Sequence, residues 1–388
     1  MGSTEDRVAT GTVLTWFPLV VRPRPPGLPL EARIAELTGL AARPAEGTCH
    51  DRMSRAAEVL NKAALIASDC GVPAIARALC HRQHELFDQA RPLPAWAAKL
   101  ALQPLLNIPR QLIREGHGQD AYAVLETLYH AARERTTAVI DGRPVDLSTV
   151  TCAPDDHKTV CTLIWAVLLA DGTRALALAG RWREAADHTA EHRGVGRRLL
   201  DGRQAHILAL VQDGQADKAA VMVEQSTIAE PWEHAVQGLL RVMCLRAAGT
   251  GSGHHVATML AAARALTQEQ DRSTSVMRTR TGMIALDLAG TSDDPQSRPL
   301  SAALITTAAG DAYAARDVLA HHQIRQYLTT GQRRDLQDLV RASGLGTGTI
   351  PERLHERLMT AVDCAETTLK KELERLCPSP GQFSCSHR

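Results

Sequence analysis

Two cysteines and a histidine lie close together in the segment TCAPDDHKTVC, and their types suit a metal ion. Thiolate sulfur and imidazole nitrogen are ligands that Zn²⁺ prefers, so Cys152, His157 and Cys161 could hold zinc, with Asp155 or water as a fourth ligand. Their spacing matches none of the usual paired-cysteine zinc motifs. The alternative is two reduced core thiols, a surface histidine and aspartates that cap a helix after Pro154. We expect no bound metal and no other cofactor.

The same segment supplies the candidates for acid–base catalysis. Asp156 and His157 could act as a general acid and base if a bound peptide lay beside them. Such an enzyme would be a lyase or cyclase that adds a cysteine thiol to a dehydroamino acid. The sequence contains no phosphate-binding loop, no GxGxxG and no GxSxG, so nucleotide binding and serine-hydrolase chemistry lack their usual motifs. Catalysis by this chain alone is therefore the less favoured prediction.

Three further histidine groups favour structural roles. Cys80, His81 and His84 could share one face of a helix. His254–His255 and His321–His322 are adjacent pairs. Adjacent residues of a helix point about 100° apart, so we expect each pair to be a poor chelate and to be solvated or to cap a helix.

A larger set of polar and aromatic residues could recognise an extended peptide. Arginine binds carboxylates and carbonyls with two parallel hydrogen bonds, and tryptophan offers a flat apolar contact. The predicted peptide-binding residues are Trp165, Arg174, Arg198, Asp201, Arg203, Gln204, Trp232 and Glu233. The alternative is that the tryptophans belong to the core and the arginines cover the outer surface.

A repeated turn would position these residues. A glycine is followed five residues later by an alanine at Gly71 and Ala76, Gly116 and Ala121, Gly180 and Ala185, and Gly214 and Ala219, and Gly249 marks a fifth break. Glycine takes the left-handed conformation that ends a helix, and a small alanine lets the next helix pack closely. Gly180 and Gly214 are 34 residues apart, which is the length of a tetratricopeptide unit.

Composition also favours an all-α protein. Aromatic residues make up only 3% of the chain, whereas β-sandwiches and barrels draw heavily on them. Hydrophobic residues make up 44%, which is enough for a sizeable core. With 44 basic and 43 acidic side chains the net charge is +1, which disfavours direct binding to nucleic acid.

The pattern divides the chain into four consecutive parts. Prolines prevent helix formation near the N-terminus, where a short strand near Thr12–Val21 is possible. A β-branched, turn-rich segment with Asp141-Gly142 in its middle predicts an inserted loop or hairpin. The predicted parts are an irregular proline-rich segment at 1–50, a helical-repeat array at 51–290 with the insertion near 139–158, C-terminal helices and a cap at 291–376, and a disordered tail at 377–388.

The cysteines and the apolar segments indicate a cytoplasmic protein. The nine cysteines are odd in number and lie mostly in apolar helical stretches, as expected for reduced thiols. The N-terminal residues do not form a secretory signal pattern. The most apolar stretch, VCTLIWAVLLADGTRALALAG, is interrupted by Asp171 and Arg174, so we expect a buried helix and no membrane span.

Two strings, AGRWREAADH and DGQADKAAVM, repeat the turn and the helix after it, and they resemble tetratricopeptide repeats. The resemblance implies a right-handed superhelix of antiparallel helix pairs with an inner groove for a peptide. The stretch from about Arg52 to Gly290 is also similar to the helical-repeat sensor halves of actinobacterial regulators, through LADGTRALALAGRWREAADH, GRRLLDGRQ and EPWEHA. Those regulators carry an N-terminal helix-turn-helix, which the proline-rich first fifty residues do not resemble. Similar stand-alone repeat proteins occur in ribosomal-peptide clusters, including class V lanthipeptide pathways.

The favoured function is therefore a peptide- or protein-binding scaffold in a ribosomal-peptide modification complex. It would present the precursor peptide or assist thioether ring formation, with the precursor and its modifying enzymes as partners. The alternative is a sensor of a signalling peptide or small molecule that has no DNA-binding domain of its own.

Overall fold

The structure is a computed structural model that describes residues 17–43, 46–250, 253–290 and 295–376. Most of these residues are helical, which confirms the all-α prediction. The elements in chain order are α1 Leu30–Ala41, α2 Cys49–Asp69, α3 Pro73–Asp88, α4 Ala95–Glu115, α5 Gly118–Glu134, β1 Thr137–Ile140, β2 Arg143–Asp146, α6 Pro154–Val167, α7 Thr173–Leu178, α8 Trp182–Glu191, α9 Asp201–Gln212, α10 Ala216–Glu224, α11 Pro231–Ala247, α12 Gly253–Thr267, α13 Ser275–Ala289, α14 Ser297–Ala308, α15 Ala312–Ala320, α16 His322–Arg325, α17 Thr330–Ser343 and α18 Glu352–Leu376.

The chain forms two compact units, and each draws on two separate stretches of sequence. The arm unit contains the residues up to Pro29 together with Leu169–Leu345. The hairpin unit contains Leu30–Leu168 together with the residues from Gly346 onward. The sequence pattern divided the chain into consecutive parts because it carries no information about which distant stretches pack together.

The core of the hairpin unit is a cluster of buried apolar side chains from α1 to α6, the hairpin and α18. Helix α1 lies inside the segment expected to be irregular up to residue 50, so that prediction was wrong for this part. No proline falls between Pro29 and the end of the helix, and the helix buries Leu30, Ile34 and Leu37 on one face. Helix α18 packs against both α1 and α2.

The predicted insertion is a β-hairpin, and its turn is at Asp141–Gly142. Both turn residues have positive φ, 52° and 74°, as a two-residue hairpin turn requires. Ala138 pairs with Val145, and both are buried. The hairpin ends at Asp146, and the last residues of the predicted insertion belong to α6.

In the arm unit, a π-helical segment, Leu168–Gly172, joins α6 to α7, and the boundary between the units lies within it. Helix α13 ends at Ala289, next to the break predicted at residue 290. Residues 17–21 of the possible strand near Thr12–Val21 are not in a strand, and its earlier residues lie outside the described ranges. The predicted disordered tail at 377–388 also lies outside them.

One turn geometry recurs at the five glycines that the sequence singled out. Each glycine has a left-handed φ between 70° and 88°. The N–H of the following residue donates to the carbonyl five residues before it, at 2.8 to 3.0 Å, so these are Schellman motifs. The five donor–acceptor pairs are Val72 to Ala67, His117 to Leu112, Arg181 to Leu176, Gln215 to Leu210 and Thr250 to Leu245.

The next helix starts immediately after four of these turns. The carbonyl of the residue after the glycine accepts a hydrogen bond from the backbone N–H of the alanine four residues later, at 2.9 to 3.2 Å. All four alanines, Ala76, Ala121, Ala185 and Ala219, are fully buried, with 0% exposure. A larger side chain would not fit there, so the glycine–alanine spacing encodes both the turn and the close packing after it.

Candidate peptide-binding site

Residues 17–29 form an extended segment, here called the arm, that is bound by helices of the arm unit. The segment contains Pro18, Pro23, Pro25 and Pro26, which lack the N–H needed for a helix. Its remaining backbone groups must therefore find partners elsewhere in the chain. The arm consequently shows how this helical unit binds an extended polypeptide.

Val20 is held on both sides of its backbone by two residues predicted to bind peptide. Its N–H donates to Asp201 Oδ1 at 2.8 Å. Its carbonyl accepts from Arg174 Nη2 at 3.0 Å, and a longer contact of 3.5 Å runs from Arg174 Nη1 to the carbonyl of Pro18. Asp201 is the first residue of α9 and Arg174 lies in α7, so side chains from two helices together bind the backbone N–H and C=O of one residue.

Four charged side chains surround this contact. Arg22 forms ion pairs with Asp171 and with Asp201, the latter at 3.2 Å. Asp171 is buried in the π-helical segment. Burial lowers the pKa of Arg174 to about 10, so this guanidinium is still charged at neutral pH. Two arginines therefore balance two aspartates in a largely buried site, as buried charges require.

The second half of the arm is fixed at α13 and α15. The N–H of Arg24 donates to the carbonyl of Ser273 at 3.1 Å, and its guanidinium lies 3.4 Å from the centre of the Tyr313 ring. The Gly27 N–H donates to Asp311 Oδ1 at 3.2 Å. A Cβ at Gly27 would lie 2.9 Å from the Tyr313 ring, so only glycine fits.

Two apolar side chains anchor the start of the arm. Phe17 contacts Trp182 edge to face, with ring centroids 6.2 Å apart. Leu19 is 1% exposed and has a left-handed φ of 51°, a conformation that leucine rarely adopts. Trp182 was missed as a contact residue from the sequence, although its place two residues after the Gly180 turn marks it as part of the packed start of α8.

Four other residues predicted to bind peptide hold the loops around α9 and α10. Arg203 donates to Ser226 Oγ at 2.7 Å and to the carbonyls of Gly196 and Met222 at 3.0 and 2.8 Å. Gln204 is fully buried and donates to the carbonyl of Leu199 at 2.6 Å. These contacts fix the backbone on either side of α9.

Glu233 and Arg198 form the second part of this network. Glu233 is fully buried, accepts the N–H groups of Ala229 and Glu230, and pairs with Arg198 Nε at 3.0 Å. Hydrogen bonds to the carboxylate hold the pKa of Glu233 below its usual value, although burial alone would raise it.

The two predicted tryptophans are both half-buried and lie in different units. Trp165 lies on α6 in the hairpin unit, and Trp232 lies at the start of α11 in the arm unit. The structure therefore brings Arg174 and Asp201 together at one peptide segment, and it gives the other six residues different surroundings.

The candidates for catalysis or metal binding near α6 do not form a three-ligand group. His157 Nε2 and Cys161 Sγ are 3.4 Å apart, one turn apart on α6. Burial raises the pKa of the Cys161 thiol and lowers that of His157, which favours the neutral form of both. Cys152 is exposed. Asp155 and Asp156 lie in the first turn of α6, but the cap residue is Ala153, and no side chain caps the helix.

The helical run Pro154–Leu178 is long and apolar enough to cross a membrane, by length and composition alone, and half of its most apolar window is buried. Two of its charged residues, Asp171 and Arg174, contact the arm. A buried core helix passes the same test. Comparison with known proteins gives no match: no protein-family model, curated protein or solved structure is detectably similar to this chain.

Proposed function

We propose that this chain is a peptide-binding scaffold in which the arm occupies the place of an extended peptide ligand. The observation that carries the proposal is the recognition of Val20 by Arg174 and Asp201. Both contacts are made to the backbone, so the same groups can bind the main chain of another extended peptide regardless of its sequence. The ion pair from Arg22 to the two aspartates adds a preference for a basic residue two positions later.

We further propose that the helices form a tetratricopeptide-like superhelix. The recurring Schellman turn, the buried alanine after it and the spacing of 34 residues between Gly180 and Gly214 support this arrangement. The resemblance found in the sequence supports a role in a ribosomal-peptide modification complex of the lanthipeptide kind. There the chain presents the precursor peptide to its modifying enzymes or assists thioether ring formation, in the cytoplasm and without catalysis of its own.

A peptide ligand must compete with the arm, which is part of the same chain and so has a high effective concentration. Weakening the arm should therefore strengthen the binding of an external peptide. The test uses the full chain and a fluorescent synthetic peptide with the sequence of residues 16–29, Trp-Phe-Pro-Leu-Val-Val-Arg-Pro-Arg-Pro-Pro-Gly-Leu-Pro. We expect Arg22→Ala protein to bind this peptide at least tenfold more tightly than wild-type protein.

Two controls define the outcome. Arg174→Lys keeps the positive charge but loses the planar guanidinium that donates from two nitrogens. Adding it to Arg22→Ala should reverse the gain in peptide affinity. Arg241→Ala removes an exposed ion pair with Glu224 elsewhere in the arm unit and should leave binding unchanged. Equal affinity of all four proteins for the peptide would contradict the proposed site. Candidate precursor peptides, recovered by pull-down from the native host, are then measured on the same variants.

The sensor alternative is favoured by one feature of the chain. The arm ends at Pro29, and the next residue starts α1 of the hairpin unit, so displacement of the arm changes the restraint on that helix. A sensor requires that peptide binding change the affinity for a second partner. The scaffold proposal requires only the first binding event, so measuring partner affinity with and without peptide separates the two.

A further inference from the structure

We propose that Asp287, His321 and His322 in the arm unit bind a divalent transition-metal ion of the zinc class. One potential ligand atom from each residue lies within 4.8 Å of the other two, and this is the one such group of three within the described ranges. Asp287 lies near the end of α13, and the two histidines lie where α15 passes into α16. Two imidazoles and a carboxylate are a ligand set that binds zinc and other first-row metals.

The distance between the two inner ligands fits a shared metal ion. His321 Nε2 is 3.1 Å from Asp287 Oδ1. Tetrahedral ligands that each lie about 2.0–2.1 Å from zinc are about 3.3 Å from one another. Both atoms are buried, and neither makes a hydrogen bond of normal geometry, although they are close. Buried polar atoms are rarely left in this state, and a metal ion between them would satisfy both.

The backbone explains how adjacent histidines can bind one ion. The sequence argument placed both residues inside a helix, where they would diverge; this holds only for His322, whereas the expected capping role is confirmed for His321. His321 is the cap residue before α16, with φ −77° and ψ 118°, and only His322 is helical. Their ring centroids are 5.4 Å apart and the ring planes differ by 35°. The extended backbone at His321 therefore directs both rings to the same side.

The burial of the three ligands leaves one side of the ion open. His321 is 8% exposed and Asp287 is partly buried, whereas His322 is exposed. Three protein ligands with solvent on one side are typical of zinc sites that retain a water or an exchangeable ligand. Asp317 does not join the set, because it pairs with Arg280 at 2.8 Å.

One existing contact must be given up when the metal binds. His321 Nδ1 accepts a long hydrogen bond of 3.4 Å from the N–H of Ile324. A neutral imidazole that binds metal through Nε2 carries its proton on Nδ1, so this acceptor is lost. We therefore expect micromolar affinity, weaker than that of a closed structural zinc site, and faster hydrogen exchange at the Ile324 amide when metal is bound.

The experiment titrates zinc into full-length protein that has been stripped with a chelator and kept reduced. We expect His322→Gln to lower the affinity of this site at least tenfold without changing the thermal midpoint of the metal-free protein, because His322 is exposed. His321→Gln and Asp287→Asn should lower it further. The matched control is His254→Gln with His255→Gln, an adjacent pair that belongs to no group of three possible metal ligands in the described structure, and this variant should bind zinc as wild type does.

Cobalt(II) distinguishes this site from the cysteines. Its visible spectrum differs for thiolate and imidazole ligands, and the site proposed here contains no thiolate. A cobalt spectrum with nitrogen and oxygen ligands that disappears in His322→Gln supports the proposal. Binding that is unchanged in His322→Gln and His321→Gln, or that occurs only with thiolate character, overturns it.

Discussion

Buried charged side chains have different kinds of binding partner in the two units. In the hairpin unit, Arg33 on α1 pairs with Asp69 at the end of α2 at 2.7 Å, and both side chains are less than a tenth exposed. Arg52 on α2 pairs with Glu372 on α18 at the same distance. These pairs join helix to helix. In the arm unit, Arg174 and Asp201 bind the backbone of an extended segment, and Asp171 and Asp201 pair with Arg22 of that segment.

The difference reflects the kind of segment that is held in each unit: helices α1 and α18 in the hairpin unit, and the extended arm in the arm unit. The backbone hydrogen bonds of a helix form within the helix itself, so α1 and α18 are held onto α2 by contacts between side chains. Within the arm, the N–H of Leu28 donates to the carbonyl of Pro26 at 2.9 Å, and other backbone groups of the arm bind Asp201, Arg174 and Asp311. The contacts in the arm unit are therefore made largely to the backbone of an extended segment, whereas those in the hairpin unit join side chains of neighbouring helices.

The largest effect is expected from breaking the buried pair of the hairpin unit. Asp69→Ala removes the carboxylate that pairs with the buried guanidinium of Arg33 and should lower the free energy of unfolding by about 3–5 kcal/mol. Arg33→Met combined with Asp69→Leu should recover most of this loss, because it removes both charges. Urea unfolding measures both, and Lys62→Ala, which removes an exposed pair with Glu36, is the control at about 1 kcal/mol or less. A loss no larger than the control would mean that the pair is solvated.

The matching change in the arm unit is Asp201→Ala, with a smaller expected loss of about 1.5–3 kcal/mol, the range for hydrogen bonds to a charged group. Arg22 is about a third exposed and keeps Asp171 as a partner, which limits the cost. Hydrogen exchange at the Val20 amide reports on the arm alone, and it should be much faster in Asp201→Ala than in wild-type protein. Asp217→Ala, an exposed aspartate at the start of α10, is the control. If Val20 remains protected in Asp201→Ala, the arm is held by its apolar anchors and not by the polar contacts.

Replacing the glycine of the recurring turn by alanine should lower the stability equally in both units, wherever only the left-handed backbone conformation opposes the new side chain. A Cβ at Gly116 or Gly214 would have no atom within 4 Å, so Gly116→Ala and Gly214→Ala should each lose about 1–2 kcal/mol from the left-handed conformation alone. Gly71→Ala should lose more, because its Cβ would lie 3.3 Å from the N of Gly348. Thermal unfolding of the three variants measures this order. A loss at Gly214 that exceeds the one at Gly71 would contradict the backbone explanation.

The sequence is most informative where structure is determined within a few residues. The glycine–alanine turns and the Asp141–Gly142 hairpin were predicted because each requires positive φ or a small side chain at a fixed spacing. The arm contacts could not be predicted, since Val20 and Asp201 are 181 residues apart and no pattern links them. Helix α1 was missed because the prolines before it suggested an irregular segment that continued past Pro29. The extended backbone at His321, on which the proposed metal site depends, was not predicted, because a helix starts between two residues that look alike in the sequence.

The smallest expected effect is a pH dependence that belongs to the hairpin unit. His84 is buried on α3, where its Nδ1–H donates to the carbonyl of Ala101 at 3.0 Å and its Nε2 faces Arg91 at 3.4 Å. Burial, and then the charge of Arg91, lower its pKa below the ordinary value of 6.5, and the Ala101 contact only partly opposes this. His81 is also buried and its pKa is lowered chiefly by burial, with Arg143 adding to this and Asp141 opposing it.

Because the pKa values of His81 and His84 are lower in the folded chain than in the unfolded chain, the unfolded chain binds more protons below about pH 6.5. The stability contributed by the neutral histidines is therefore complete above about pH 6.5 and is lost as the pH falls from there toward the folded pKa. We expect urea unfolding to show lower stability at pH 5.5 than at pH 7.5, and His84→Gln to reduce this difference. His130→Gln, on the surface of α5, should keep the wild-type dependence. Equal pH dependence of wild type and His84→Gln would show that His84 accepts a proton in the folded chain, and the buried contacts of Arg91 would then have to open in acid.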